Sequence, residues 1–326
     1  MRKTVIKPKH LRKGDTVGIV APASPPFDPG DIQFTIEWLA KLGLKYKLGK
    51  NIFNSYSDLA GTDAERLEDF HAMWADKEVS AVLPIRGGNG VCRLLPKIDF
   101  ELIQRHPKLI VGYSDITGLV NPIHQKTGLV TFHGPMGGSF YKSSYSHYYF
   151  VKALMSNKPL GLIVDPIPPE LWSPAYPPRI VIAEGRARGQ LAGGCLTLLK
   201  QLMGTPYELE TEGKILFIED VGEEPHSIDR YLTQMLHAGI LHKAKGIIVS
   251  EFVNCAPGDS GRMRLSLNHS LENVLRDRLG NLGIPVAYGL RFGHGRDQFT
   301  VPIGVMASLE VAKNKIKFKI EEPATV

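Results

Sequence analysis

The stretch KLIVGYSDIT, residues 108–117, decides how the surrounding chain folds. Its apolar run leads straight into Ser114, and the polar, helix-compatible residues that follow predict a strand, a turn and a helix. A serine on such a turn stands above the edge of a sheet, where N–H groups of the helix N-terminus can stabilise an oxyanion. Ile116 replaces the second glycine of the Gly-x-Ser-x-Gly pattern, and serine is also a favoured N-cap residue. The roles of nucleophile and of helix cap therefore both stay open for Ser114.

Apolar runs alternate with helical patterns on either side of this stretch through the first half of the chain. The further predicted strands are residues 16–21, 79–85 and 129–132. Ile32, Ile36 and Leu39 recur at helical spacing, and Thr62 with Glu65 has the form of a capping box before a second helical face. Strands that alternate with helices indicate βαβ units and a largely parallel sheet.

The second half of the chain also mixes strand and helix patterns. Residues 213–218 and 245–249 are apolar runs typical of buried strands, whereas 266–279 has the pattern of a helix. From Gln298 onward, apolar and polar residues alternate as they do in strands that are buried on one face. The whole chain is therefore predicted to be an α/β protein.

A proline-rich segment separates the two halves. Seven prolines fall within residues 159–178, which argues against regular structure and favours an interdomain linker or a lid. We therefore expect an N-terminal domain over residues 1–158, a linker over 159–180, and a C-terminal domain over 181–326. The first domain would carry Ser114.

Composition and charge exclude several classes of protein. The chain has 326 residues, 39 Lys and Arg against 33 Asp and Glu, and a net charge of +6, which is mild and argues against a nucleic-acid partner. Three cysteines, Cys92, Cys195 and Cys255, lack metal-ligand spacing, so neither a zinc site nor a disulfide framework is expected. The sequence shows no signal peptide and no membrane span, which predicts a cytoplasmic protein with no membrane partner. No H-E-x-x-H motif or paired histidine cluster occurs, so we expect chemistry without a metal or other cofactor.

Two segments of the second half carry further candidate catalytic groups. Glu219 ends an apolar strand, where a carboxylate can orient a histidine. His294 lies between Gly293 and Gly295, which let its imidazole project from a bent loop. His133 also ends a strand and competes with His294, but a structural or substrate-side role is favoured for it. Taken singly, an acid at a strand end and a lone histidine are weak signals.

The glycine-rich loop at residues 84–90, PIRGGNG, follows another predicted strand. Its glycines allow a ligand to approach the backbone closely, so Gly88 could donate an oxyanion N–H together with Asp115. A nucleotide phosphate loop is the rival function, but the G-x-G-x-x-G and Gly-Lys-Ser/Thr patterns are absent, which also argues against a nicotinamide-dependent oxidoreductase. A simple tight turn would explain the glycines as well.

Nine short motifs occur in a fixed order from one end of the chain to the other. They are residues 14–24, 86–88, 112–117, 133–136, 191–194, 204–207, 216–220, 293–295 and 301–304. Each motif alone is short, but in this order they resemble the LD-carboxypeptidase family of serine peptidases. That family includes muramoyltetrapeptide carboxypeptidases and microcin C self-immunity proteins.

The resemblance implies a catalytic triad of Ser114 as nucleophile, Glu219 as acid and His294 as base. It also implies a Rossmann-like N-terminal domain with a largely parallel sheet, a C-terminal mixed α/β domain built around β-structure, and a homodimer. This chain departs from the family pattern twice, with Asn89 where an aromatic residue is common and Cys195 where an asparagine is common. Both departures bear on substrate fit rather than on the triad.

The activity that the resemblance implies is hydrolysis of the amide between the L-centre of a diamino acid and a terminal D-amino acid. A murein tetrapeptide would be cut to a tripeptide through an acyl-enzyme, as in cell-wall recycling. An exopeptidase must recognise a free carboxylate, and a guanidinium does so with two hydrogen bonds. Arg86 and Asn89 in the glycine-rich loop are the candidates for contacts with the substrate.

Two other functions stay open. The resemblance also covers immunity-type hydrolases of peptidyl or aminoacyl adenylate analogues, for which Trp172 and Tyr176 in the proline-rich segment could stack on a base. A catalytically silent protein that binds a small molecule or peptide is the alternative from another class. The filled triad positions argue against it.

Overall fold

The computed structural model describes residues 4–139, 143–167, 178–256 and 270–326 of the chain. The chain divides into two compact units. Unit 1 comprises Met1–Pro159, Thr300–Gly304 and Pro323–Val326, and unit 2 comprises Leu160–Phe299 and Val305–Glu322. Two short segments near the C-terminus thus belong to unit 1. The domain and linker limits expected from the sequence stay a prediction.

The regular elements are numbered in chain order within the described residues. The strands are β1 Thr16–Val20, β2 Lys45–Leu48, β3 Val79–Pro84, β4 Leu109–Ile110, β5 Thr131–His133, β6 Gly161–Leu162, β7 Ile180–Ala183, β8 Gly185–Cys195, β9 Ile215–Glu219, β10 Gly246–Ser250, β11 Val286–Leu290, β12 Val301–Ile303, β13 Met306–Ala312 and β14 Lys315–Ile320. The α-helices are α1 Pro29–Lys41, α2 Asp63–Ala75, α3 Phe100–Arg105, α4 Thr117–Thr127, α5 Ser144–Leu154, α6 Leu196–Gln201, α7 Pro225–His237 and α8 Leu271–Leu279.

Unit 1 is built on a parallel sheet in the order β2-β1-β3-β4. Beyond β4, Val111 forms a parallel bridge to Phe132 of β5, and β5 pairs in antiparallel fashion with β12. In a parallel sheet the carboxyl ends of neighbouring strands lie at one edge. The loops that follow β1, β3 and β4 therefore emerge together, and the last of them carries Ser114. The parallel α/β fold expected for the N-terminal half is confirmed.

Local signals set the helices of unit 1. The capping box before α2 is confirmed, since Thr62 Oγ1 accepts the Glu65 N–H at 3.3 Å and Glu65 Oε2 accepts the Thr62 N–H at 2.7 Å. Phe70 and Trp74 lie on the inner face of that helix, and both side chains are buried. Helix α4 continues through Pro122, directly after a 3₁₀ turn at Ser114–Ile116.

Unit 2 is built on a mixed sheet in the order β6-β14-β13-β8-β9-β10-β11-β7. The four strands from β8 to β11 are parallel, and the pairings at both flanks are antiparallel. Strands β9 and β10 share one buried apolar cluster with α7 and α8. Its members include Ile218, Ile228, Leu232, Met235, Ile247, Val249, Val274 and Leu275. The expectation of a mixed α/β unit built around β-structure is confirmed.

Three segments differ from their predicted extent. The strand expected directly before Ser114 is reduced to β4, and the predicted linker over residues 159–180 contains β6, which pairs with β14. Helix α8 begins at Leu271, after the N-cap Ser270, while the first residues of the helix expected over 266–279 lie outside the described residues. Trp172 and Tyr176 lie outside them as well. Among the helices of the described ranges, none has the length and apolar character needed to cross a bilayer.

Candidate active site

Ser114 has a left-handed backbone with φ of +60°. It is the first residue of the 3₁₀ turn before α4, and it stays partly exposed while Asp115 and Ile116 are buried. The N-cap position belongs to Tyr113 and no side chain caps the turn, so the alternative of a helix cap is wrong. A non-glycine residue in this conformation is strained, and such strain is concentrated at functional sites. The turn has the geometry in which hydrolases present a nucleophilic serine.

Two glycines make room for this turn. A Cβ on Gly87 would lie 2.9 Å from Ser114 Cβ and 3.2 Å from the amide nitrogen of Asp115, so the glycine-rich loop packs directly on the serine. A Cβ on Gly112 would lie 2.5 Å from Ile116 Cγ2. The bulk of Ile116, which replaces the second glycine of the usual pattern, is therefore accommodated by Gly112. Sequence reasoning selected Gly88 from this loop and missed the closer contact made by Gly87.

The carboxylate of Asp115 ties the serine turn to the glycine-rich loop. Its Oδ2 accepts the N–H of Val91 at 2.9 Å, and the residue is only 4% exposed. Burial raises the pKa of Asp115, and the Val91 N–H and the charge of Arg66 oppose that rise. Arg66 is itself buried and donates to the carbonyl oxygens of Pro22 at 2.6 Å and Gly90 at 3.1 Å. These contacts join the loops that follow β1 and β3.

The remaining candidates of the loop are Gly88, Arg86 and Asn89. Gly88 has φ of +115°, and a Cβ there would lie 2.2 Å from Ser24 Oγ, which accepts the Asn89 N–H at 3.2 Å. Arg86 Nη1 donates to the carbonyl oxygen of Pro25 at 3.1 Å. The side-chain amide of Asn89 donates to Asp58 Oδ2 at 2.8 Å. Ser24, in the loop after β1, was not selected by sequence reasoning although it fixes this loop.

Glu219 and His294 are brought together, although 75 positions separate them. His294 Nδ1 lies 2.6 Å from Glu219 Oε2, and the carboxylate, at the end of β9, is fully buried. When Glu219 is ionised, it favours the tautomer that carries the proton on Nδ1 and leaves Nε2 able to accept one. Gly293 has φ of +86°, and a Cβ there would lie 2.3 Å from Glu219 Oε2. Only a glycine therefore lets the loop bring the imidazole to the carboxylate.

The loop of His294 is anchored to the end of β10. Ser250 Oγ accepts the Phe292 N–H at 3.2 Å and lies 2.9 Å from the carbonyl oxygen of Leu290. The next residue, Glu251, forms an ion pair with the buried Arg291. Sequence reasoning did not identify these anchors, because the partners are some forty residues apart and share no motif.

A second carboxylate, Asp220, follows Glu219 directly. Its Oδ2 accepts the N–H of Thr197 at 2.9 Å and the Thr197 hydroxyl at 2.8 Å, and its Oδ1 accepts the Val221 N–H at 2.8 Å. Burial, together with the charge of Glu219, raises the pKa of Asp220 to about 6. Cys195, the second departure from the family pattern, pairs with Glu219 across the sheet and has its Sγ 3.5 Å from Asp220. Burial raises the pKa of the Cys195 thiol well above its usual value, so it is not an activated thiolate.

His133 is fully buried on β5 and packs edge-on against Tyr113, with ring centroids 6.3 Å apart. This placement fits the structural role favoured for it. Within residues 4–139, 143–167, 178–256 and 270–326, no three His, Cys, Asp or Glu side chains are arranged to hold a metal ion.

The chain matches both domains of one protein family. Residues 17–134 match the LD-carboxypeptidase N-terminal domain, and residues 188–309 match the LD-carboxypeptidase C-terminal domain. The probable murein peptide carboxypeptidase of Bacillus subtilis is 43% identical, over 94% of this chain and 92% of that protein.

Two solved structures share the fold over nearly the full length of the chain. The MccF-like protein from Bacillus anthracis has a TM-score of 0.85 at 28% identity, over 98% of this chain and 100% of that one. The muramoyltetrapeptide carboxypeptidase from Oxalobacter formigenes has a TM-score of 0.77 at 28% identity, over 94% and 99%. The chain therefore belongs to the LD-carboxypeptidase family and is a hydrolase of the serine carboxypeptidase type.

Proposed function

We propose that the protein is an LD-carboxypeptidase that cuts a murein tetrapeptide to a tripeptide, as in cell-wall recycling. The bond hydrolysed is the amide between the L-centre of a diamino acid and a terminal D-amino acid. The left-handed backbone of Ser114 at a strand-to-helix turn carries the proposal, because backbone strain clusters at functional sites and a turn of this kind suits a nucleophile. Relatives named murein peptide carboxypeptidase and muramoyltetrapeptide carboxypeptidase support the choice of substrate.

Ser114, His294 and Glu219 act in this proposal as one triad. Nε2 of His294 takes the proton from Ser114 Oγ as that oxygen attacks the scissile carbonyl, and Glu219 stabilises the imidazolium. The tetrahedral intermediate then expels the D-amino acid, whose nitrogen receives the proton from His294. Water, activated by the same histidine, hydrolyses the acyl-enzyme and frees Ser114.

The N–H groups of Asp115 and Gly88 are the proposed donors to the oxyanion. Asp115 is the residue after the nucleophile, which is the usual source of one such donor. The close packing of Gly87 on Ser114 supports a second donor from the glycine-rich loop. Loss of one donor from such a site typically costs about 3–4 kcal/mol of transition-state stabilisation.

The free carboxylate of the terminal D-amino acid is the group that marks the substrate of an exopeptidase. We assign its recognition to Arg86, whose guanidinium lies in the glycine-rich loop, with Asn89 as a further contact. Burial lowers the pKa of Arg86, and the nearby charge of Asp31 partly opposes that shift. The guanidinium stays charged at any working pH.

Ser114→Ala tests the proposal. Release of D-alanine from a murein tetrapeptide should fall by about 10⁵–10⁶-fold in kcat, because the nucleophile is lost. His294→Ala should lose about as much, and the double variant should lose no more than either one, since residues that act as a unit are not additive. Independent, additive losses would contradict a shared triad.

Ser57→Ala is the matched control. Ser57 is the other serine with a left-handed backbone in the described residues, with φ of +58°, but it is exposed in the connection between β2 and α2. Its replacement makes the same chemical change under the same backbone strain, and it should leave turnover unchanged. Full activity in Ser114→Ala would exclude Ser114 as nucleophile.

The similarity to the MccF-like protein favours a second candidate, an immunity-type hydrolase of peptidyl or aminoacyl adenylate analogues. Trp172 and Tyr176, which could stack on a base, lie outside the described residues. Competition between a murein tetrapeptide and an aminoacyl sulfamoyl adenosine for the wild-type enzyme separates the two functions. The murein activity predicts that the tetrapeptide is hydrolysed and that the nucleoside analogue inhibits weakly.

A cytoplasmic location and a homodimer remain part of the proposal. Both come from the sequence and the family resemblance. Cell fractionation tests the first, and sedimentation of the purified protein tests the second.

A further inference from the structure

Phe27 presents its ring to solvent in unit 1. It is 83% exposed, so burial of apolar surface does not hold it in place. The start of α1 holds it instead: Asp31 Oδ2 accepts the Phe27 N–H at 3.1 Å, and Asp28 caps the helix through the N–H of Gly30 at 2.6 Å. A backbone fixed in this way keeps an exposed aromatic ring at a defined position.

The ring lies against the guanidinium of Arg86. Arg86 Cζ is 3.3 Å from the centroid of the Phe27 ring, which is a close cation–π stack. Nη1 of the same group donates to the carbonyl oxygen of Pro25 at 3.1 Å. One face and one nitrogen of the guanidinium are thus fixed by the loop after β1, although Arg86 itself belongs to the loop after β3.

The guanidinium also lies beside the predicted oxyanion loop. A Cβ on Gly88 would be 3.4 Å from Arg86 Nη2, and Gly87 in turn packs on Ser114. In a substrate that loses one terminal residue, only three bonds separate the scissile carbonyl carbon from the carboxylate carbon. A cation this near the nucleophile therefore suits the recognition of that carboxylate.

We propose that Phe27 is a positioning residue that holds the Arg86 guanidinium in the orientation that binds the terminal carboxylate of the substrate. The inference rests on the proposed carboxypeptidase function. An arginine side chain has many rotamers, and the ring restricts them while it excludes water from one face of the guanidinium. Phe27 thereby contributes to selection of a free carboxylate without contact with the scissile bond.

Phe27→Leu tests the role of the ring, because leucine keeps the apolar bulk and removes the π face. The enzyme is assayed with a murein tetrapeptide and with the same peptide ending in a carboxamide. We expect KM for the carboxylate substrate to rise about two- to fivefold, with kcat unchanged and with no change for the carboxamide. Phe27→Tyr keeps the π face, so its KM should stay close to that of the wild type.

Phe53→Leu is the control, since Phe53 is also an exposed phenylalanine of unit 1, at 64%, in the connection between β2 and α2. It should leave both substrates unaffected. An equal effect of Phe27→Leu on carboxylate and carboxamide, a fall in kcat, or no rescue by tyrosine would each overturn the inference. These outcomes would leave Phe27 with a merely structural role or with none.

A binding measurement keeps this inference separate from the proposed function. If the wild-type protein releases no D-alanine, the proposed function fails, but calorimetry with N-acetyl-D-alanine still reports on the Arg86–Phe27 pair. Weaker binding of this probe to Phe27→Leu, with recovery in Phe27→Tyr, supports the inference. Equal affinities in all three proteins would overturn it.

Discussion

The turn of Ser114 in unit 1 and the loop of His294 in unit 2 hold two side chains of the proposed triad by different means. Ser114 is held by its backbone, with φ of +60° and with Gly87 packed against it. His294 is held by its side chain, through a 2.6 Å contact with the buried Glu219. The first region should therefore be sensitive to atoms added next to the backbone of Ser114, and the second to any change that separates His294 from Glu219.

The two regions nevertheless share one feature, a buried carboxyl group that accepts hydrogen bonds from a neighbouring segment. In each, a buried carboxyl group directly follows a residue of the proposed triad: Asp115 follows Ser114, and Asp220 follows Glu219. Each accepts backbone N–H groups from a neighbouring segment, Asp115 from Val91 and Asp220 from Thr197. Each carboxyl group thus ties its own segment to a neighbouring one, next to a residue of the proposed triad.

Gly293→Ala should give the largest effect, and it tests the contact between His294 and Glu219. The added Cβ would lie 2.3 Å from Glu219 Oε2, and the backbone φ of +86° disfavours any residue other than glycine. Loss of the orienting carboxylate typically lowers kcat by about 10⁴-fold, and we expect a fall of about 10³–10⁴-fold in tetrapeptide hydrolysis.

Gly295→Ala, in the same loop, is the control for Gly293→Ala. Its Cβ would lie 3.0 Å from Glu251 Oε2, the end of a flexible side chain, and its φ is not in the left-handed region. We expect kcat to stay within about tenfold of the wild type, since this carboxylate can shift by rotation about its side-chain bonds. Near-normal activity of Gly293→Ala would show that the pair with Glu219 does not orient the base.

Gly87→Ala should give the next largest effect, and it tests the backbone side of the comparison. Its φ lies outside the left-handed region, so we expect the change to act through the close approach of the new Cβ to Ser114 Cβ, at 2.9 Å. A shift of about 1 Å at a reacting atom can cost about 10²-fold in rate, and we expect a loss of that size in kcat. Gly138→Ala is the control, because its nearest contact, the carbonyl oxygen of Ile85, would be 3.5 Å away. Equal losses in both variants would indicate general damage to unit 1.

The order of strands and helices around Ser114 could be predicted because it follows from the local spacing of apolar residues. The conformation of Ser114 could not be predicted, since a serine gives no local signal of a left-handed backbone. The replacement of the second glycine by Ile116 even argued against a turn of the Gly-x-Ser-x-Gly type. Gly112 explains that replacement only once the packing of Ile116 is known. The capping box of α2, by contrast, is a contact between residues three apart and could be identified from the sequence.

The pairing of Glu219 with His294 was accessible only through the order of motifs along the chain. Nothing within either segment specifies a partner 75 positions away, and each residue alone is a weak signal. The anchors of the loop, such as the hydrogen bond from Ser250 to the carbonyl oxygen of Leu290, likewise join residues that are far apart in the sequence. Long-range hydrogen bonds depend on the sheet register, which follows from the packing of the whole unit.

Asp220→Asn should give the smallest effect. It tests whether ionisation of a buried carboxyl group such as Asp220 lowers the stability of the folded protein. Burial raises the pKa of Asp220 to about 6, above the usual value for an aspartate, so the folded protein retains this proton where the unfolded chain has lost it. The free energy of unfolding therefore falls as the pH rises from about 4 to about 6. For this group alone, the wild type should be more stable at pH 5 than at pH 7 by about 1–1.5 kcal/mol.

Asparagine keeps an acceptor for the Thr197 N–H but cannot ionise, so Asp220→Asn should lack this part of the pH dependence. Urea unfolding of both proteins at pH 5 and pH 7 measures the difference, and the carboxyl groups that do not interact with Asp220 cancel because they are common to both. Asp115→Asn extends the test to unit 1, where burial also raises the pKa, so the difference should have the same sign. Identical pH dependence in wild type and Asp220→Asn would mean that Asp220 ionises at its ordinary pKa. In that case its hydrogen bonds to Thr197 and Val221 compensate fully for burial.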